Sequence, residues 1–340
     1  MLVGYMRNFR SPKFMANIIR AVAKSKNIDL LYFNAKDVNI EKNQIRGLVY
    51  IDNKWKRIDS RIPDVIDVSA SCLKHKEVIN YLSEKAYLTE NGSKRLSKDY
   101  LQEELVKDNK LKKYVIPSSN CNSLQIIDKY LSLYDEVVIK PVYSERGKGI
   151  YKIKQNDNGS YLIGHNKKQQ KISSSELKDL YTNTISKRKH VIQKCIQSKT
   201  LQGDPFDCRI HLEKNGLGNW EIAKSYIRIG IGQQVISNVN QGGGLSNTPV
   251  FLKSNYPDSY ENLLRKINEA GIEIAEKIEQ LRGIELATLG LDVGITSDEN
   301  LYVFEANSAP DPSFLKAEVA MLRTDYYQFL LKHRNGYRQK

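Results

Sequence analysis

The sequence predicts an α+β protein: a small α/β unit over residues 1–85, then two α+β units, 86–196 and 197–340, that flank a cleft. Three observations carry this expectation. A length of 340 residues suggests two or three units at roughly 150 residues each. Strand-length apolar runs alternate with helical spacing in the first 85 residues, whereas the last third is β-rich on either side of one long helical pattern. No segment repeats, which removes solenoids and propellers.

In the first unit, LVGYM is a short apolar strand, and Met15, Ile18, Ile19 and Val22 recur at helical spacing after Pro12. DLLYF at 29–33 is the next strand. RGLVYIDNKWKRI reads as two strands joined by a turn at Asp52–Lys54, and a further strand, DVIDV, follows Pro63. In the second unit Ser97 is a candidate N-cap for a helix that turns Leu101, Leu105 and Val106 inward. EVVIKPVYSERGKGIYKI at 136–153 is strand, Gly-bearing loop, strand. The Ser/Lys/Gln-rich stretch 164–176 is expected to be a surface connection, and HVIQKCI at 190–196 a buried strand. The third unit opens with DCRIHLEK, a turn at Asn215–Asn219 and WEIAKSYIRIGI. A loop at Gly242–Gly244 and a long helix through Leu264, Ile267, Gly271, Ile274, Ile278 and Leu281 come next. LATLGLDVGI and LYVFEAN then form a hairpin with its turn at Thr296–Asn300, and Leu322, Tyr326, Phe329 and Leu330 predict an amphipathic final helix.

Hydrophobic residues make up 40% of the chain and charged residues 27%, enough for a packed core and against wholesale disorder. The net charge of +14 favours acidic partners without choosing among them. Lysine-rich runs at 110–113 and 187–189 are interrupted and accompany no nucleic-acid reader motif, so no nucleic-acid partner is expected. Cys72, Cys121, Cys195 and Cys208 are far apart, with no C-x-x-C pair, which argues against a disulfide scaffold or a Cys-based zinc module. No signal-peptide pattern and no 18-residue apolar run are present, so a cytoplasmic protein with reduced thiols and no membrane span is expected. Oligomeric state is not readable.

Three groups of residues suit chemistry. Glu305 and Asn307, at i and i+2 of a strand, point to one face; if the hairpin forms, Asp292 on the preceding strand joins them. Hard oxygen donors of this kind suit Mg²⁺, and they equally suit a solvated hairpin face. The loop Ser144-Glu145-Arg146-Gly147-Lys148-Gly149 follows Lys140-Pro141, and its glycines allow close backbone approach to phosphate; an ordinary hairpin turn explains them too. It matches neither of the common Gly-rich phosphate motifs. Arg209 and Arg228 stand on neighbouring apolar strands, where an arginine requires an anion. Asp207 and Glu221 are structural candidates; a triphosphate or a substrate carboxylate is the alternative. The five histidines form no H-E-x-x-H pattern or triad and are expected mostly at the surface, and no nucleophile elbow is present.

Taken in order, a lysine on an early helix (Ser97-Lys98-Asp99-Tyr100), VVIKP, a Gly loop, VIQKCI, an arginine, and D…E-x-N resemble the ATP-grasp superfamily. PFDCRIHLEKNGLGNWEIAKSYIRIG, SNVNQGGG and LGLDVGITSDENLYVFEANSAP are most similar to its YheC/YheD branch of spore coat-linked bacterial proteins, over roughly residues 86–320. The resemblance implies an ATP-grasp fold, with two α+β subdomains clasping ATP behind a small α/β domain. It implies Lys98 and Lys140 at the nucleotide phosphates, and Ser144 to Gly149, including Gly147 and Lys148, as a lid. Gln193, Lys194 and Ile196 would form a hinge along adenine, with Asp292, Glu305 and Asn307 holding Mg²⁺. Arg209 and Arg228 would be catalytic, facing the γ-phosphate and the reacting carboxylate; Asn238, Gly242 and Gly243 would shape the acceptor side. The Asn-Arg pair that often follows the family's Pro-Asp strand is absent; the run here is Pro63-Asp64-Val65-Ile66-Asp67-Val68-Ser69.

The reaction so implied is ADP-forming ligation of a carboxylate acceptor to an amine donor through an acyl phosphate. The charge surplus suggests an acidic peptide or cell-envelope polymer as acceptor. The competing readings are an ATP-dependent kinase, a spore or envelope structural protein with a residual nucleotide pocket, and a polyanion-binding protein.

Overall fold

The computed structural model describes every residue except 95, 97, 143–148, 166–167, 232–242 and 334–340, and describes only the backbone of Lys98 and Asp99. The expected helix cap Ser97 and the site candidates Ser144, Gly147, Lys148, Asn238 and Gly242 therefore lie outside the described residues.

Three sheets follow one another along the chain. The first contains β1 (Leu2–Met6), β2 (Asp29–Phe33), β3 (Val38–Asn39), β4 (Gln44–Ile51), β5 (Lys54–Arg61), β6 (Val65–Val68) and β7 (Tyr87–Leu88). Its centre is parallel, β2-β1-β6-β7, because α1 (Phe14–Ser25) provides the crossover from β1 to β2. α2 (Lys76–Ser83) covers another part of this sheet with Ile79 and Leu82. The β4–β5 turn is as the sequence suggests: Asp52 and Asn53 take φ of +50° and +59°, the left-handed pair that a two-residue hairpin needs.

The second sheet is antiparallel throughout, in the order β12-β11-β10-β9-β13-β8. Its strands are β8 (Ser118–Asn120), β9 (Glu136–Pro141), β10 (Tyr151–Gln155), β11 (Tyr161–His165), β12 (Lys168–Ile172) and β13 (His190–Lys194). α3 (Lys98–Lys107) precedes it, and α4 (Leu124–Leu133) and α5 (Ser174–Asn183) are interleaved with its strands. β12 occupies the stretch expected to be a connection. It is an edge strand with only Ile172 buried, so it lacks the apolar alternation by which a strand is read. Ser173 then caps α5 reciprocally with Glu176.

The third sheet, β16-β15-β14-β17-β18, is also antiparallel. It contains β14 (Phe206–Lys214), β15 (Trp220–Ile229), β16 (Gly244–Asn247), β17 (Thr288–Ile295) and β18 (Leu301–Asn307). Gly244, expected in a loop, begins β16. α6 (Thr248–Asn255) and α7 (Tyr260–Arg282) cover one face, where Ile267, Gly271, Ile274 and Ile278 meet Cys208, Ile210 and Leu291. Gly271 permits this approach: a β-carbon there would lie 3.2 Å from Ile210.

Packing crosses the sequence boundaries. Leu101 and Leu105 of α3 join the core of the third sheet, whereas Val106, expected inward, is exposed because the helix turns only one narrow stripe to that core. The final helix, α8 (Lys316–His333), packs on both end units. Tyr326, Tyr327 and Leu330 meet Ala16 and Ile19 of α1, while Val319 lies against Tyr226 of β15. It is therefore buried on several sides, not along the single stripe the sequence suggests. Among the described residues no helix is long and apolar enough to cross a membrane, and all four cysteines are free thiols.

Candidate active site

Alternation on the third sheet separates core from chemistry. Cys208, Ile210 and Leu212 of β14 face α7, so Asp207, Arg209, His211 and Glu213 face the other way. Thr288, Gly290 and Asp292 of β17 share that second face, because Leu289, Leu291 and Val293 are in the core. The ladder sets Arg209 opposite Asp292, Asp207 opposite Arg228, Asp292 opposite Glu305 and Gly290 opposite Asn307.

A β-bulge makes this register possible. Val303 pairs with Val293 in the core, and Glu305 pairs with Asp292, so Phe304 is an extra residue on β18. Without it, Val303 and Glu305, two residues apart, would share a face. Gly294 leaves room for the Phe304 ring. Asp292, Glu305 and Asn307 are thus brought together, two carboxylates and one amide oxygen. Among the described residues no cluster of three or more His, Cys, Asp or Glu side chains is placed to hold a metal.

Asp292 is ionised and shared. It accepts hydrogen bonds from Arg209 Nε and from Arg209 Nη2 at 3.0 Å, and Arg228 Nη2 lies 2.9 Å from Oδ2. Arg228 also donates to both oxygens of Asp207, at 2.7 and 2.8 Å. Burial alone would raise the Asp292 carboxyl; the charges and hydrogen bonds of Arg228 and Arg209 outweigh it and hold the pKa below the ordinary carboxylate value. Both arginines thus have anionic partners, Asp207 as the sequence allowed and Asp292 in place of Glu221, which instead accepts from Asn215 Nδ2 at 3.0 Å.

Farther along the same face runs a second chain of charges. Glu213 accepts from Arg323 Nη2 at 2.6 Å and Thr288 Oγ1 at 2.8 Å, and lies 2.9 Å from His211 Nε2. Arg323 lies 3.8 Å from Asp67 of the first unit, which also bonds Arg7 at 2.8 Å and the Tyr327 hydroxyl. His211 and His190 are both buried, against the surface placement expected, since a histidine with a partner is readily accommodated in a core. One signal was available: Asp207, Arg209, His211 and Glu213 occupy every second position of an apolar strand.

On the second sheet, Val137, Ile139, Ile153 and Ile192 form the core, so Lys140, Val138 and Gln193 point to the opposite face. Lys140 is half-buried and Gln193 buried. Lys152, on this face as well, is held by Glu136 at 2.8 Å. Lys194 turns the other way, its ammonium 5.6 Å from the Tyr134 ring centroid, and its backbone N–H donates to Pro117. Ile196 lies in the half-buried segment that leads toward β14. Gly149 has φ of +74°, a left-handed conformation that favours glycine, and a β-carbon there would displace the Arg188 guanidinium, 2.5 Å away. Gly243 immediately precedes β16. α3, which begins with Lys98, covers the edge of β18: Gln102 donates to the Val303 carbonyl at 3.5 Å, and Leu101, Gln102, Glu305 and Ser308 line one small cavity.

A family model described as YheC/D-like ATP-grasp matches residues 89–333. The endospore coat-associated protein YheD of Bacillus subtilis (strain 168) is 25% identical over 304 residues, covering 83% of this chain and 64% of that protein. The endospore coat-associated protein YheC of the same organism is 19% identical over 312 residues, covering 88% of this chain and 82% of that one. The chain thus spans less than two thirds of the length of YheD. In fold it is similar to the ATP-grasp ligase PsnB complexed with minimal precursor, Mg and ADP, with a TM-score of 0.56, 9% identity, and 97% and 98% of the two chains covered. It is likewise similar to the D-cycloserine synthetase DcsG, with a TM-score of 0.54, 12% identity, and 98% and 100% covered. At these identities the structural likeness is one of fold.

Proposed function

The chain belongs to the YheC/D-like ATP-grasp family, and from that membership we propose that it is an ATP-dependent ligase that joins a carboxylate to an amine with release of ADP. The observation that carries this reading is the register that sets Asp292 against Glu305, with Asn307 on the same face and Arg209 and Arg228 alongside.

The donor set fits a hard cation. Two carboxylates and an amide oxygen are what Mg²⁺ takes while it keeps water and phosphate oxygens. Asp292, Glu305 and Asn307 would hold it, and when bound it offsets charge on the phosphate oxygens. Arg209 and Arg228 face the transferring phosphoryl group and the acceptor, where charge develops. Lys98 and Lys140 contact the phosphates, and the 144–149 segment, with Ser144, Gly147, Lys148 and Gly149, covers them. Gln193, Lys194 and Ile196 lie along the base, mainly through backbone groups. Asn238, Gly242 and Gly243 border the acceptor.

In the proposed reaction an acceptor carboxylate oxygen attacks the γ-phosphorus of ATP, the bond to the β–γ bridging oxygen breaks, and ADP leaves. The amine then attacks the acyl carbon, losing a proton, and the acyl C–O bond breaks to release inorganic phosphate. Excluding water keeps the acyl phosphate from hydrolysis. The surplus of +14 suits an anionic acceptor such as a peptide or envelope polymer. The relatives' names tie them to the endospore coat, and a cytoplasmic enzyme acting in spore formation is the proposed setting.

The test is ADP release from ATP and Mg²⁺ with candidate carboxylates, with and without an amine. Stimulation by one carboxylate and an amide product support ligation. A stable phosphorylated product without amide points to a kinase. Full turnover by folded Glu305→Ala protein removes the metal assignment.

A further inference from the structure

A cavity of about 290 Å³ separates the first unit from the loop that follows Asn307. Tyr5, Phe9, Lys13 and Tyr32 line it from one side, Pro310 and Pro312 from the other. Pro310 is a shared wall. It packs over Gly290, where a β-carbon would lie 2.7 Å from Pro310 and 3.8 Å from Arg209. The Arg209 side chain therefore lies close behind one wall of the cavity.

The charges around the cavity are almost all spent within the protein. Arg7 is paired with Asp67 at 2.8 Å, and Glu90 accepts two hydrogen bonds from Arg282, both at 2.9 Å. Arg323 is paired with Glu213 at 2.6 Å. Lys13 differs. Its ammonium lies 5.4 Å from the Phe9 ring centroid and, among the described residues, bonds no carboxylate. Phe9 itself is 58% exposed, a large apolar ring at the cavity. An aromatic and proline-lined space with one spare cation selects an apolar body with one negative charge. The volume is close to the lower end of the range for ligand pockets.

We infer that this cavity receives the acceptor of the proposed ligation, and that the group beside the acceptor's carboxylate is aromatic or branched aliphatic rather than a second acid. The inference rests on the ligase reading for the word acceptor; the ligand class rests on the cavity. The basic surplus of the whole surface does not extend into this space, so an acidic acceptor would place its further charges elsewhere.

The test is direct binding, by calorimetry on the full chain, of three probes: 3-phenylpropionate, its neutral amide, and glutarate. The phenyl acid is expected to bind about tenfold or more tightly than either of the others. Phe9→Ala should weaken it about tenfold, and Lys13→Met should remove the preference for acid over amide while leaving amide binding unchanged. Both residues are exposed, so unaltered thermal melting certifies the variants' folds. Tighter glutarate binding, or phenyl-acid affinity indifferent to Phe9→Ala, overturns the inference. ADP release stimulated by glutarate but not by the phenyl acid overturns it while leaving the ligase reading intact. The expected binding pattern with no carboxylate-dependent ADP release supports the ligand class and overturns the ligase reading.

Discussion

Glu305 faces Asp292 across the last hairpin because Phe304 is inserted as an extra residue one position earlier. The insertion keeps Val303 in the core while turning Glu305 and Asn307 onto the polar face, a re-aiming that bulges commonly perform beside functional sites. Asp292 meanwhile shares its carboxylate between Arg209 and Arg228. Negative charge on the hairpin is thus held in place before any cation arrives.

Glu305→Gln should therefore separate binding from folding. Glu305 is only half-buried, so its loss as a charge should leave the melting temperature within a few degrees. Affinity for Mn²⁺ in the presence of ADP, followed by the free-ion electron paramagnetic resonance signal, should fall about tenfold or more. Unchanged Mn²⁺ affinity would take Glu305 out of the donor set.

Arg228→Met should act on stability. It leaves Asp207, which is 5% exposed, buried without its bidentate partner, and it removes one of the two cations on Asp292. Breaking one side of a buried pair costs on the order of 3–5 kcal/mol, whereas replacing both sides with apolar groups is often neutral. Arg228→Met should lower the urea midpoint sharply, and adding Asp207→Leu should recover much of the loss. Failure of the double variant to recover any stability would place the cost elsewhere, in Asp292.

These features were unevenly legible in the sequence. The hairpin, its turn at 296–300 and the i, i+2 pairing of Glu305 with Asn307 follow from alternation and turn residues. The bulge does not, since one inserted residue leaves the apolar pattern of LYVFEAN unchanged. Arg209 and Arg228 stood out as cations in apolar strands, but their mutual partner Asp292 required the β14–β17 pairing, which no local pattern encodes. Arg7, Asp67, Arg323 and Tyr327 were missed because they meet only when α8 returns from the end of the chain to the first sheet. β12 was missed because its residues are almost all polar.

Three of the buried carboxylates, Asp67, Glu213 and Asp292, should make the protein acid-labile. Burial would raise Asp67, Glu213 and Asp292; Arg7 and Arg323, Arg323 with His211, and Arg228 with Arg209 respectively outweigh it, so all three lie below their ordinary values of 3.8, 4.5 and 3.8. Unfolding frees these groups to take up protons at a pH where the folded state does not. Their stabilisation is fully present above the unfolded-state values and is lost as pH falls through about 4.5 and below. Urea midpoints measured from pH 7 down to pH 3 should be flat above about pH 5 and then drop. Asp67→Asn should start lower at pH 7 and drop less. A parallel pH profile for Asp67→Asn would show that Asp67 does not carry its share of the slope.

The thiols provide a readout of the segment that joins the second and third sheets. Burial pushes Cys208 up to about 12 and Cys121 to about 11, and it raises Cys72 as well. Cys195, beside the proposed hinge residues Lys194 and Ile196, is also raised to about 11, again chiefly by burial. The thiolate is the reactive form, so at pH 8 Cys121, Cys195 and Cys208 should alkylate with iodoacetamide roughly a hundredfold or more slowly than a free cysteine, and Cys72 should be slowed as well. In urea all four should label rapidly. Peptide mapping by mass spectrometry distinguishes them. Fast native labelling confined to Cys195 would mean that this segment opens while both sheets stay folded, and slowing of that labelling by ADP would tie the opening to nucleotide entry.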